Sequence, residues 1–249
     1  MYVKKTIISG AVLEVEKTYT IRYKGKHTVR GPRKETTPEA MAKVNERNAR
    51  KNLARLLNCN FVEGDLYLTL TYKLENRAST FEECKNDLAK FLRNVKLANK
   101  RRGLEFYYVA VSTFGERSMH HHVVMRCGLT MEELTKIWRL GWINFKPLDG
   151  SGDYTQLADY LIKHTNKTFN NPEKRVHAKR YIHSRNMKKP IVKTEVVDAD
   201  SWREFVKAPK GYYLIQDSLF TDVSDMTGYP FQYYKCVRLE KLVPQKKRL

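Results

Sequence analysis

Two short segments hold side chains whose types and spacing could do chemistry: Met119-His-His-His-Val-Val124 and Asp159-Tyr-Leu-Ile-Lys-His164. On a β-strand alternate side chains share a face, so His120 and His122 point one way while His121 points the other way with Val123 and Met125. Two converging neutral imidazoles are a ready site for a divalent cation, which would orient a phosphate and withdraw charge from its oxygens. For one isolated histidine a polar strand face is the better reading; His-x-His beside Val and Met in a basic chain favours ligands. Mg²⁺ and Mn²⁺ are the expected ions. Mg²⁺ prefers oxygen, so a third group is expected from the neighbouring strand or turn, with Ser112, Thr113 and Glu116 as candidates.

In the second segment, Tyr160 and Lys163 are three apart and therefore neighbours on a helix surface, with Leu157 and Leu161 free to pack down on a sheet. A phenol is a poor nucleophile at neutral pH, but a cation at the phosphate and the adjacent Lys163 ammonium would favour its phenolate and a charged transition state. Tyr-x-x-Lys alone occurs often by chance, and a tyrosine on an amphipathic helix is ordinarily core packing. Its weight comes from following the histidine strand. Together the two segments supply what breaking a phosphodiester through a covalent protein–DNA bond requires.

The 47 Lys and Arg against 27 Asp and Glu give a formal charge of +20, a field that attracts a polyanion. Nucleic acid is the expected partner, although a ribosomal or membrane-surface protein shares that balance. No amphipathic basic helix stands out as a lipid anchor. Cys59, Cys84, Cys127 and Cys236 lie far apart, which suggests neither a zinc ribbon nor a disulfide framework. With no apolar signal region and no run of about 18 apolar residues, the chain reads as an intracellular protein.

The elements that must position these groups follow in order. Residues 1–35 mix strand-like runs (Tyr2 to Ile8, Thr18 to Tyr23) with the basic segment Arg30 to Lys34. Thr37-Pro38 opens a long basic helix through Leu57. Leu66 to Tyr72 alternates Leu with Tyr and Thr, predicting a central strand with one aliphatic and one hydroxyl-rich face. Thr80-Phe-Glu-Glu83 and Thr130-Met-Glu-Glu133 are capping boxes that open helices. Between them, Glu105 to Ser112 and Met119 to Arg126 read as a hairpin. Trp142 to Leu148 is a candidate fourth strand, and Asp153 precedes the helix of Tyr160. The fold class is α+β, a central antiparallel sheet with flanking helices, expected on one face. The predicted organisation is an N-terminal arm and start of the basic helix (1–44), a core that carries both chemistry-bearing segments (45–170), and a basic C-terminal region packed on the core and contacting DNA (171–249).

With Asn60 to Tyr72, His120-His-His122 and Tyr160-Leu-Ile-Lys163 in this order, the chain resembles the HUH endonucleases, and among them the rolling-circle replication initiators of phages and plasmids. Ser184-Arg-Asn-Met-Lys-Lys-Pro190 is similar to a downstream segment of phage members. The resemblance covers roughly residues 45–190. It implies a palm-like, ferredoxin-like sheet, His120 and His122 as metal ligands, and Tyr160 attacking a DNA phosphate to leave a 5′-phosphotyrosine and a free 3′-hydroxyl. Two positions depart from the pattern: His121 stands where a hydrophobic residue is usual, and Thr113 where many members have Glu. Gln156, one turn before Tyr160, implies a single-tyrosine mechanism, and the missing phosphate-binding loop implies a separate or host helicase. Single-stranded or hairpin origin DNA is the expected partner, contacted by Arg117, Lys167, Arg180, Arg185 and Lys188, with no membrane. A transposase or relaxase of the same chemistry, or a non-catalytic basic nucleic-acid-binding protein, remains open at this point.

Overall fold

The computed structural model describes residues 1–19, 37–114, 119–169, 179–223 and 229–239. Glu116, Arg117 and the basic segment Arg30 to Lys34 lie outside the described residues. In chain order the elements are β1 (Tyr2–Ser9), β2 (Val12–Thr18), α1 (Pro38–Asn60), β3 (Leu66–Thr71), α2 (Phe81–Arg101), β4 (Tyr107–Phe114), β5 (Met119–Arg126), α3 (Met131–Ile137), β6 (Ile143–Pro147), α4 (Thr155–Phe169), β7 (Ile182–His183), β8 (Ile191–Val197), β9 (Tyr212–Leu214), β10 (Phe220–Val223) and β11 (Pro230–Arg238). The chain divides into two compact units, one of Met1–Asn45 with Lys189–Leu249 and one of Glu46–Lys188.

The Glu46–Lys188 unit is built on an antiparallel sheet in the order β6-β3-β5-β4-β7. Helices, expected on one face of this sheet, cover both, because its central strands are apolar on both sides. Leu68, Leu70, Ala110, Val123 and Met125 pack against Leu88, Phe91, Val95 of α2 and Leu134 of α3. On the opposite face Val109, Val111 and Val124 meet Leu53 and Leu57 of α1 and Ala158, Leu161 and Ile162 of α4. Each fully buried aliphatic side chain contributes about 1.5–3 kcal/mol relative to exposure, so losing either layer would expose half the core.

The helix starts are those the capping chemistry demands. Thr80 Oγ1 accepts from the Glu83 amide at 3.1 Å while the Glu83 carboxylate accepts from the Thr80 amide at 3.3 Å. Thr130 and Glu133 repeat the arrangement at the head of α3. Such caps satisfy amides that have no partner within the helix, at about 1 kcal/mol each. Thr37 accepts from the Ala40 amide at 3.2 Å, and α1 runs beyond the expected Leu57 to Asn60. Its end is pinned where Asn60 exchanges two hydrogen bonds with the Lys188 backbone, at 2.7 and 2.9 Å.

The other unit holds a second antiparallel sheet, β10-β11-β2-β1-β8, with β9 also on β11. β1 and β2 form a hairpin through Gly10 and Ala11, where the positive φ of 60° at Gly10 suits a two-residue turn. A strand runs over Val12–Thr18, and residues 20–23 of the run expected from Thr18 to Tyr23 lie outside the described residues. β2 pairs with β11 and β1 with β8, so strands from the N-terminal segment and the basic C-terminal region share one sheet. Its core is Leu13, Val15, Tyr234 and Cys236. No helix among the described residues is long and apolar enough to cross a membrane.

Candidate active site

Strand register sets the site. His122 stands opposite Thr69 of β3 and Val111 of β4, and His120 opposite Thr71 and Thr113. All six therefore share the face covered by α4. Ala158, Leu161 and Ile162 are buried there, which fixes the roll of α4 and leaves Tyr160 43% exposed at the sheet. The ring centroids of His120 and His122 are 4.9 Å apart, and Tyr160 meets His122 edge to face at 5.7 Å. Lys163, one turn along α4, is exposed.

His122 is 3% exposed. Its Nδ1 lies 2.7 Å from the Tyr67 hydroxyl and 3.2 Å from the Thr69 hydroxyl, while its buried Nε2 has no hydrogen-bond partner among the described residues. Burial first, then the neighbouring His120 and His164, lower its pKa from 6.5 to about 3, so the imidazole stays neutral at physiological pH. A neutral ring with a bare, buried nitrogen lone pair is the donor a divalent cation takes, and the residues present fit that group. Among the described residues no set of three or more His, Cys, Asp or Glu is arranged to hold a metal; a shell on His120 and His122 would be completed by other oxygen atoms.

The candidate third ligands part ways. Ser112 is a correction: it pairs with His121, not His120, and its hydroxyl meets His121 Nδ1 at 2.8 Å on the far face of the sheet. Thr113 shares the face of His120, but it is 3% exposed and its hydroxyl donates to the His120 carbonyl at 3.4 Å. Glu116 lies outside the described residues.

Two further groups stand at this site to which motif spacing gives no role. His164, a helical turn after Tyr160, brings its ring 4.1 Å from that of Tyr160 and 5.7 Å from that of His122; the four-residue spacing was the available signal. Tyr67 was legible only as one member of a hydroxyl-rich face.

His121 accounts for the departure at the middle position. It is fully buried, with Nδ1 on Ser112 and Nε2 on the Tyr72 hydroxyl at 3.0 Å, and Tyr72 in turn donates to Asp87 at 3.2 Å. A polar ring is tolerated inside the α2–α3 layer because both nitrogens are satisfied.

Of the expected DNA contacts, Arg185 and Lys188 are exposed. Arg180 differs: it is only 9% exposed, and its guanidinium stacks 4.5 Å over the Phe169 ring. Arg117 and the side chain of Lys167 lie outside the described residues.

Residues 65–169 match a family described as Replication-associated protein, of the ORF2 type. No curated protein and no solved structure matches the chain. The matched span opens at Asp65, just before β3, closes at the last residue of α4, and contains Tyr67, both imidazoles, Tyr160 and His164. Over that stretch the chain is similar to the replication-associated proteins.

Proposed function

We propose that this protein starts rolling-circle replication of a phage or plasmid by nicking, and later rejoining, a single DNA strand at a specific site. The observation that carries the reading is the half-exposed Tyr160 phenol set edge-on to His122, whose buried Nε2 has no partner among the described residues, inside a stretch similar to a replication-associated family.

In this reading Tyr160 Oη attacks the phosphorus, the bond to the 3′-oxygen breaks, and the upstream piece leaves with a free 3′-hydroxyl while the 5′-phosphate of the downstream piece stays on the tyrosine. The phenolic proton is given up and one proton is taken by the departing oxygen, so charge and atoms balance. A later 3′-hydroxyl reverses the exchange, which conserves the ester bond energy and needs no ATP. A divalent ion, Mg²⁺ or Mn²⁺, held by His120 and His122, would withdraw charge from the phosphate oxygens. Lys163 would offset the charge on the transition state, and Arg185 and Lys188 would hold the backbone of a hairpin origin. Unwinding would fall to a separate helicase in the bacterial cytoplasm.

The test is a stem-loop oligonucleotide from DNA neighbouring the coding region, incubated with the protein and Mn²⁺. A covalent adduct that resists denaturant is expected, and Tyr160→Phe should abolish it. An adduct that survives that substitution would mean another nucleophile, and chelator-insensitive binding without cleavage would favour a non-catalytic role.

A further inference from the structure

Tyr67 contacts both halves of the site. It lies on β3 two residues before Thr69, the residue directly opposite His122, and its ring stacks nearly parallel to the imidazole, at 13° and 5.8 Å. The stacking brings its hydroxyl to 2.7 Å from His122 Nδ1, with Thr69 Oγ1 at 3.2 Å from the same atom. The Tyr67 and Tyr160 rings meet edge to face at 6.4 Å, and after burial and the Thr69 hydroxyl, the nearby Tyr160 hydroxyl also acts on the Tyr67 phenol, helping to hold its proton.

A neutral imidazole carries its single proton on one nitrogen, and its surroundings choose which. At Nε2 of His122 that proton would be a buried donor with no acceptor among the described residues. At Nδ1 two hydroxyl oxygens stand within reach. The proton therefore belongs on Nδ1, donated to Tyr67, and the lone pair on Nε2 stays bare. Because its oxygen is then accepting from Nδ1–H, the Tyr67 proton is left to point toward Tyr160.

We propose that Tyr67 is a positioning residue: it sets the His122 tautomer that can bind a cation and offers its own hydroxyl proton to the Tyr160 oxygen, coupling the metal half of the site to the nucleophile. This rests on the function proposed above. Thr69 is the weaker second acceptor, and neither hydroxyl needs to touch the DNA.

Tyr67→Phe keeps the stacked ring and removes only the hydroxyl; Thr69→Val does the same for its neighbour. The first measurement needs no metal. Nitrogen-15 NMR of the imidazoles in chelator should find His122 protonated at Nδ1 in the wild type and shifted toward Nε2 in the double variant; a wild-type His122 protonated at Nε2 overturns the proposal. The second is calorimetric titration with Mn²⁺, where Tyr67→Phe should weaken binding by about 10- to 100-fold, the usual cost of losing a ligand's hydrogen-bond partner, at an unchanged metal-free melting temperature. Wild-type affinity in Tyr67→Phe, with binding lost in His122→Gln, would sink the role of Tyr67 and leave the nickase standing. If the wild type bound no Mn²⁺ and formed no adduct, the nickase would fall, and the NMR tautomer would still decide Tyr67.

Discussion

Replacing His122 by Gln should flatten the acid sensitivity of the metal-free protein, and the size of the effect follows from the burial of one ring. His122 is 3% exposed, and its pKa is lowered from 6.5 to about 3. The unfolded chain takes up a proton at this residue as pH falls through 6.5, whereas the folded chain refuses it until near 3. The unfolded state thus binds more protons throughout that window, so stability falls as pH falls across it and is fully present only above 6.5. Each pH unit inside the window is worth about 1.4 kcal/mol, so moving from about pH 7 to roughly pH 4.5 should remove about 2.5 kcal/mol through this residue alone. Urea denaturation at both pH values, with chelator present, measures it. Carboxylates titrate alike in both proteins, so the comparison isolates His122. If His122→Gln lost as much stability as the wild type over that interval, the ring would not be held neutral by its surroundings and the bare Nε2 would lose its meaning as a cation donor.

Two stability predictions test the frame around the site. His121→Leu restores the hydrophobic residue usual at this position but deletes hydrogen bonds of 2.8 and 3.0 Å to Ser112 and Tyr72; it should cost about 2–4 kcal/mol in urea denaturation, part of it recovered by adding Ser112→Ala, and a variant as stable as the wild type would refute the network. Gly141→Ala would drive a methyl group into the Thr71 carbonyl oxygen, at the step where β3 bonds to Trp142. A loss of about 1–3 kcal/mol is expected by thermal melting, and an unshifted melt would mean that the backbone there yields freely.

Much of the local structure was legible before any coordinates. The capping boxes at Thr80 and Thr130 needed only a four-residue window, because the hydrogen bonds that make them join residues three apart. The strand Met119–Arg126 and the split of its histidines, His120 and His122 to one face and His121 to the other, follow from the two-residue period of any pleat. Tyr160 and Lys163 were likewise placed together by helical spacing. The charge of +20 pointed to a polyanionic partner without reference to shape.

What lay beyond the sequence was whatever depends on strand pairing across long separations. Ser112 was a candidate ligand until the β4–β5 register turned it toward His121. Tyr67 could be assigned to a hydroxyl-rich face, but its approach to His122 required β3 to lie beside β5, a contact between residues 55 apart in the chain. The N-terminal strands found their partners near the other end of the chain, where Val15 pairs with Tyr234. Local patterning is dictated by dihedral preference and the periodicity of the chain, which every short segment carries within itself. Which segments meet is decided by burying both apolar faces of the central sheet at once, a cooperative choice that no single window of sequence contains.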